Sequence, residues 1–283
     1  MKKNRRLKGD ANPAAIRIGA TVFRPGQGLL LIAGPCVIES REVCMRVADH
    51  MKRLAAKLGL TYVFKASYDK ANRCSVNSFR GLGMDEGLKI LDEVKARFEI
   101  PVLSDVHDAH EVEAAAQVLD VLQIPAFLSR QTTLIQAAAR TGKTINLKKG
   151  QFLAPWDMAN VVMKAETAGN RNLLITERGA CFGYNNLVSD MRAIPIMKQF
   201  GYPVIFDATH SVQLPGGMGN ASGGERALAI PLARAAVAAG CDGLFLEVHP
   251  QPEKAMCDAA SMLPLSSLPD LLRNAVDIFE VVR

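Results

Sequence analysis

Long apolar runs are missing from this chain of 283 residues. No stretch reaches the roughly 20 apolar residues that span a bilayer, and the greasiest window, 230–239, is interrupted by Pro231 and Arg234. Aromatic residues are scarce at 6%, with one Trp and four Tyr, which leaves few platforms for stacking nucleic-acid bases. The six cysteines (Cys36, Cys44, Cys74, Cys181, Cys241 and Cys257) include no C-x-x-C pair. A disulfide framework is not expected in a chain this long, so they predict a reducing cytoplasm. No apolar segment follows the basic start, which excludes a secretory signal, and the scarcity of serine there argues against a matrix-targeting segment. No linker divides the chain, and no repeat longer than one β/α unit is visible.

Charge excess is small and local. Lys and Arg number 34 against 28 Asp and Glu, a net of +6. Lys2, Lys3, Arg5, Arg6 and Lys8 against Asp10 give the first ten residues +4, so the rest of the chain carries only +2. Residues 1–15 are expected to form a disordered basic tail. A nucleic-acid-binding role through that tail would be salt-sensitive, and the nearly neutral body argues against it. At 49% hydrophobic and 22% charged, the composition is globular. The length suits one large domain or two, and we read residues 16–283 as one.

Hydrophobic periodicity gives a regular alternation. Apolar, β-rich runs fall at 29–32, 62–65, 102–104, 121–124, 144–147, 173–176, 204–207 and 243–247. Helical patterns fall between and after them, at 41–58, 84–98, 109–118, 132–140, 156–168, 190–200, 226–239 and 268–282. In the second helix Leu88, Leu91, Val94 and Phe98 form the apolar stripe. The strand runs are apolar throughout, as strands buried on both faces require. Eight β/α units predict an α/β fold, a closed (β/α)8 TIM barrel. The alternative, a doubly wound open sheet, lacks the G-x-G-x-x-G fingerprint after its first strand. Residues 16–23 predict a short N-terminal β-hairpin extension that closes the barrel bottom.

In such barrels, chemistry gathers where the strands end. Here the first strand leads to Cys36, and the second to Lys65, Ser67, Lys70, Asn72 and Arg73. The third leads to Asp105 and His107, the fourth to Gln123, Ala126 and Arg130, and the fifth to Lys148 and Lys149. The last three lead to Glu177 and Arg178, to Asp207 and His210, and to Glu247, His249 and Asp258. A structural barrel has no use for such a ring, because a buried charge is costly unless paired. Seven cations (Lys65, Lys70, Arg73, Arg130, Lys148, Lys149 and Arg178) outnumber the acids Asp69, Asp105 and Glu177 that would neutralise them. The imbalance points to a substrate with several negative charges, such as a phosphorylated one.

Cys36, His210, Glu247 and Asp258 come from strand ends that neighbour one another in a closed barrel. A thiolate, an imidazole and two carboxylates suit a divalent metal ion such as Zn, Fe, Mn or Co. From spacing alone the plainer reading, a packed cysteine and a hydrogen-bonded histidine, stays open. Cys44, Cys181, Cys241 and Cys257 show no partner.

Long motifs then carry a resemblance. LIAGPCVIES (31–40), FKASYDKANRCS (64–75), LQIPAFLSRQT (122–132), NLKKGQFLAPW (146–156), TERGACFGYNN (176–186), DATHSVQLPGG (207–217) and EVHPQPEKAMCDAASMLPL (247–265) are similar to 3-deoxy-D-manno-octulosonate-8-phosphate synthases, from about residue 28 to the end. The resemblance implies a cytoplasmic homotetrameric barrel. It would condense phosphoenolpyruvate with arabinose 5-phosphate, releasing phosphate, for lipopolysaccharide synthesis. Lys70, Gln123, Lys148, Arg178 and the backbone of Ala126 would hold phosphoenolpyruvate, with Lys65 and Ser67 beside it. Asn72, Arg73 and Asp105 would hold the pentose phosphate, Arg130 would reach a neighbouring subunit's sugar phosphate, and His107 would line the cleft. The cysteine at 36 is similar to the metal-dependent branch, which implies Cys36, His210, Glu247 and Asp258 as ligands. Among these, Lys70, Lys148, Arg178 and His210 would carry catalysis. Two positions depart from the family pattern: Cys74 stands where serine is usual, and Thr133 where aspartate is usual. A related heptulosonate-phosphate synthase acting on erythrose 4-phosphate is the nearest alternative, and the segment Lys70-Ala71-Asn72-Arg73 argues against it.

Overall fold

The computed structural model describes residues 15–73, 75–217 and 223–283. The basic tail, residue 15 apart, and Cys74 lie outside the described residues. Eight parallel strands form the barrel: β1 (Leu30–Gly34), β2 (Thr61–Lys65), β3 (Val102–Asp105), β4 (Val121–Ile124), β5 (Thr144–Lys148), β6 (Leu173–Glu177), β7 (Val204–Asp207) and β8 (Gly243–His249). Each pairs with the next, and β8 closes the ring on β1 with the register Gly243↔Leu30 through Glu247↔Gly34. That closure makes β7, β8 and β1 neighbours, as the metal reading needs.

Alternation along each strand divides the apolar residues between two cores. On β1, Leu31 and Ala33 face the helices, while Leu30 and Ile32 face the barrel axis. The inner core continues with Val63, Leu103, Val121, Leu174, Ile205 and Phe245. The expected hairpin pairs Ile16–Ile18 antiparallel with Thr21–Phe23. It drives Ile16, Ile18 and Phe23 into this inner core. The Asn172 amide fastens it, accepting from Arg17 N at 2.8 Å and donating to Arg17 O at 2.6 Å. One end of the barrel is thereby plugged with hydrocarbon.

The helices are α1 (Arg41–Lys57), α2 (Met84–Phe98), α3 (Val112–Val118), α4 (Thr132–Arg140), α5 (Met158–Thr167), α6 (Ala193–Lys198), α7 (Arg226–Ala238) and α8 (Leu268–Val282). Ser40 caps α1, its Oγ accepting from Val43 N at 3.3 Å. Helices α3 and α6 start three residues later than periodicity predicts. In both, an aspartate holds the preceding turn: Asp108 Oδ1 accepts from His110 N at 3.2 Å and Asp190 Oδ1 from Arg192 N at 3.0 Å. Such side-chain bonds compete with helix initiation. Among the described residues, no helix is long and apolar enough to cross a membrane.

Gly34 ends β1 for a steric reason. A Cβ there would lie 1.9 Å from the carbonyl oxygen of Lys65. Only glycine lets the end of β1 run this close to the end of β2, and Cys36 and Lys65 meet as a result.

The plug can be tested. Phe23→Ala empties buried volume and is expected to cost about 3–5 kcal/mol of stability in urea denaturation. Val22→Ala, at a half-exposed neighbour, is expected to change stability by under about 0.5 kcal/mol.

Candidate active site

The cleft opens at the C-terminal ends of the strands and encloses about 740 Å³, including its mouth. This is ample for small phosphorylated molecules. Four cations from two strands and two loops wall it: Lys65, Lys70, Lys148 and Arg178. All four are buried, so each needs an anion or a dipole nearby. Lys65 Nζ donates to Glu247 Oε1 at 2.6 Å and to Cys36 O at 2.7 Å. Lys70 Nζ lies 3.6 Å from the same carboxylate oxygen. Lys148 Nζ donates to Asp207 Oδ2 at 2.6 Å and sits 3.8 Å from the centre of the Phe245 ring. Arg178 has no carboxylate within ion-pair distance among the described residues. Its Nη2 donates to Gln213 Oε1 at 2.8 Å, and its buried Nη1 has no partner.

These contacts set the ionisation. Burial alone would raise the carboxyls of Glu247, Asp105 and Asp207. The surrounding lysines and histidines overcome it and hold all three well below the usual carboxylate range. Burial pushes the Lys148 ammonium down despite Asp207, and pushes the Arg178 guanidinium down as well. Both cations therefore gain from an entering anion that replaces lost water.

A chain of side-chain hydrogen bonds runs between these cations, from β6 to the loop after β2. Thr176 Oγ1 donates to Asn146 Oδ1 at 2.6 Å, and Asn146 Nδ2 donates to Gln123 Oε1 at 2.8 Å. Gln123 Nε2 then donates to Asp105 Oδ1, and Ser67 Oγ donates to Asp105 Oδ2 at 2.6 Å. Every donor points toward Asp105, which fixes the Gln123 amide at the cleft wall. Asn72, Ala126 and His107 also line the cleft. Glu111 receives both the His107 backbone N–H, at 3.0 Å, and the Tyr68 hydroxyl, at 2.7 Å.

The four expected metal donors converge around Asp258. His210, Glu247 and Asp258 offer ligand atoms within 4.8 Å of one another, as do Cys36, Cys257 and Asp258. Asp207 Oδ2 lies 2.7 Å from His210 Nδ1, which turns Nε2 toward Glu247 at 3.4 Å and Asp258 at 3.9 Å. This is how a ligating histidine is oriented. Glu247 Oε2 is buried without a partner among the described residues, and burial pushes the Cys36 thiol well up. An orphaned carboxylate oxygen and a thiol that only a strong cation would deprotonate both fit a transition metal.

Three expected cations stand elsewhere. Lys149 points away from the cleft and meets Glu177 Oε1 at 3.3 Å and the carbonyl oxygens of Leu153 and Gly179. Adjacent residues on a strand face opposite sides, a signal that already separates Lys149 from Lys148. Arg73 lies against Cys257 Sγ at 2.9 Å and Asp258 Oδ1 at 3.6 Å. Arg130 is exposed and does not line the cleft. Cys257 and Gln213 enter the site without having been singled out for it, and Asp207, named only as a strand-end residue, enters as the partner of Lys148 and His210. Cys257 carried a signal in its position beside Asp258.

Sequence comparison gives the chain its relatives. The model of the DAHP synthetase I family matches residues 14–282. The 2-dehydro-3-deoxyphosphooctonate aldolase of Trichlorobacter lovleyi is 59% identical over 268 residues, covering 95% of this chain and 98% of that protein. Proteins of the same name from Geotalea uraniireducens and Desulfosudis oleivorans are 58% and 62% identical, over 95% and 89% of this chain and 98% and 91% of their own lengths.

Two variants separate binding from architecture. Arg178→Ala is expected to weaken inorganic phosphate binding by about 1.5–3 kcal/mol in titration calorimetry, the worth of a charged hydrogen bond. Lys149→Met leaves Glu177 buried and uncompensated, and is expected to cost about 3–5 kcal/mol of stability while phosphate affinity persists.

Proposed function

The chain belongs to the DAHP synthetase I family, and on that premise we propose that it condenses phosphoenolpyruvate with D-arabinose 5-phosphate and water. The products are 3-deoxy-D-manno-octulosonate 8-phosphate and inorganic phosphate. The family model alone leaves the sugar open, and the relatives' shared name, an octonate aldolase, selects the pentose over erythrose 4-phosphate. The observation that carries the reading is the cleft wall of Lys65, Lys70, Lys148 and Arg178, the last with a buried Nη1 that lacks a partner among the described residues. Its partners are thus small phosphorylated molecules rather than nucleic acid.

Lys148 and Arg178 suit the phosphate of phosphoenolpyruvate, with Lys70, the Gln123 amide and the Ala126 backbone orienting the rest of that substrate. Lys65 and Ser67 lie beside it: one lines the cleft while holding Glu247, the other holds Asp105. Asn72 and Asp105 take the pentose phosphate, joined by Arg73 once its guanidinium turns from Cys257 and Asp258, His107 lines its path, and Arg130 at the exposed rim serves a neighbouring subunit's sugar phosphate. Fixing both substrates brings the methylene carbon to within about 3.5 Å of the aldehyde carbon. A carbon–carbon bond forms there, and positive charge grows at the carbon bearing the phosphate oxygen. Water adds at that carbon, and the C–O bond to phosphate then breaks. Lys148 and Arg178 offset the charge on the departing phosphate.

Cys36, His210, Glu247 and Asp258 would hold a divalent metal ion. When bound, such an ion orients the aldehyde or lowers the pKa of the attacking water. His210 serves in both respects, as a ligand and through its contact with Lys148 at 3.5 Å. A homotetramer is supported by the exposed Phe127, Phe152, Trp156 and Phe182 on neighbouring loops. A cytoplasmic setting is supported by the free thiols of the described cysteines.

Two assays test this. Phosphate release is expected to be faster with arabinose 5-phosphate than with erythrose 4-phosphate, and the reverse order would overturn the substrate assignment. A chelator is expected to abolish turnover and added Mn or Zn to restore it. Full activity after verified metal removal would sink the metal site.

A further inference from the structure

Cys257 belongs to no substrate or metal set assigned above, yet its Sγ stands 2.9 Å from Cys36 Sγ. The two residues are 221 positions apart, so the fold alone brings them together. Cys36 follows β1, and Cys257 sits in the loop after β8, the pair of strands that closes the barrel. Both sulfurs are buried in one small cluster with Val37 and Met262. Met256, next in the chain, is half exposed, so the pair lies just beneath the surface. Arg73 Nη1 donates to Cys257 Sγ at 2.9 Å, and that contact keeps the sulfur directed inward. Among the described residues no other cysteine bonds to a second one: Cys44 and Cys241 are buried apart, and Cys181 is exposed.

The geometry points to a reversible disulfide between Cys36 and Cys257 that forms when the metal site is empty and competes with metal binding. The metal half of this inference rests on the ligand set proposed above; the disulfide half rests on the two sulfurs alone. The oxidant is a peroxide. One thiol attacks it, the O–O bond breaks, water leaves, and that sulfur becomes a sulfenic acid. The second sulfur displaces the hydroxyl, a second water leaves, and the S–S bond forms. Two thiols lose two hydrogens and two electrons, and the peroxide takes them up. Cys36 can then no longer supply a thiolate to a metal, and Arg73 loses its sulfur partner. A bound metal blocks the same step by occupying the Cys36 sulfur.

Full-length protein stripped with a chelator would be treated with hydrogen peroxide, alkylated without reduction and digested for peptide mass spectrometry. The expected product is a cross-linked peptide pair containing Cys36 and Cys257, lighter than the two free peptides by two hydrogens. Dithiothreitol should dissolve it and restore metal uptake, measured by elemental mass spectrometry. Protein preloaded with Zn should give no cross-link, and Cys257→Ser should give none in either state while still taking up metal. If both cysteines alkylate freely after peroxide, or each is over-oxidised alone, the disulfide is wrong. If the cross-link forms equally with Zn present, the disulfide stands, but Cys36 is removed from the ligand set and the competition fails.

Discussion

One buried ammonium joins the parts of this site. Lys65 Nζ is bonded to the Glu247 carboxylate and to the Cys36 carbonyl, which ties the end of β2 to the end of β8 and to the loop after β1. Neither partner of the ion pair touches solvent to any extent. Burying one alone would be prohibitive, since breaking such a pair costs about 3–5 kcal/mol. The pair therefore obliges two strands and one loop to arrive together. Gly34 makes the arrangement possible by letting the Lys65 backbone pass where a side chain would stand. The substrate cleft and the metal donors share this one support, and Lys70 leans on the same carboxylate from the cleft side.

Charge in the cleft is divided unequally, and the inequality has chemical meaning. Lys65 and Lys70 share Glu247, and Lys148 has Asp207. Among the described residues, Arg178 has only an amide oxygen. The local field is therefore most open to an anion where Arg178 and Lys148 look into the cleft. Asp105 counters it from the end of β3, held ionised by the lysines around it and bonded by Gln123 and Ser67. A ligand with phosphate at one end and hydroxyls at the other can set the phosphate by Arg178 and Lys148 and a hydroxyl by Asp105. This polarity, more than the total charge, gives the cleft a direction.

Much of this is legible in the sequence, for identifiable reasons. Strands such as Leu173–Glu177 are apolar until their last residues, so the point where each one meets the cleft can be read from the chain. The hairpin is legible because Arg24-Pro25-Gly26 marks its end. What escapes is set by loops and by direction. Lys148 and Lys149 are equally basic neighbours, and only the two-residue alternation of β5 sends them to opposite sides. Arg73 shares a motif with Asn72, yet its guanidinium goes to Cys257 and Asp258 because of how the loop after β2 folds back. Cys257 meets Cys36 through ring closure, a contact that no local pattern encodes. The shortened starts of α3 and α6 follow from aspartates whose preference for turns overrides hydrophobic period.

The hairpin at the other end of the barrel bears on the chemistry through dielectric. Ile16, Ile18 and Phe23 fill the axis, and Phe245, in that same inner core, lies directly under Lys148 and near Lys65. The cations thus rest on a dry hydrocarbon floor, with water reaching them from the mouth alone. Their fields are weakly screened from below, and so each contact with a bound anion is stronger than on an exposed surface. The same floor makes every unpaired charge expensive, which is why the acids are spaced so closely among the lysines. An element that contributes no reacting group therefore sets the strength with which the opposite end grips its substrates.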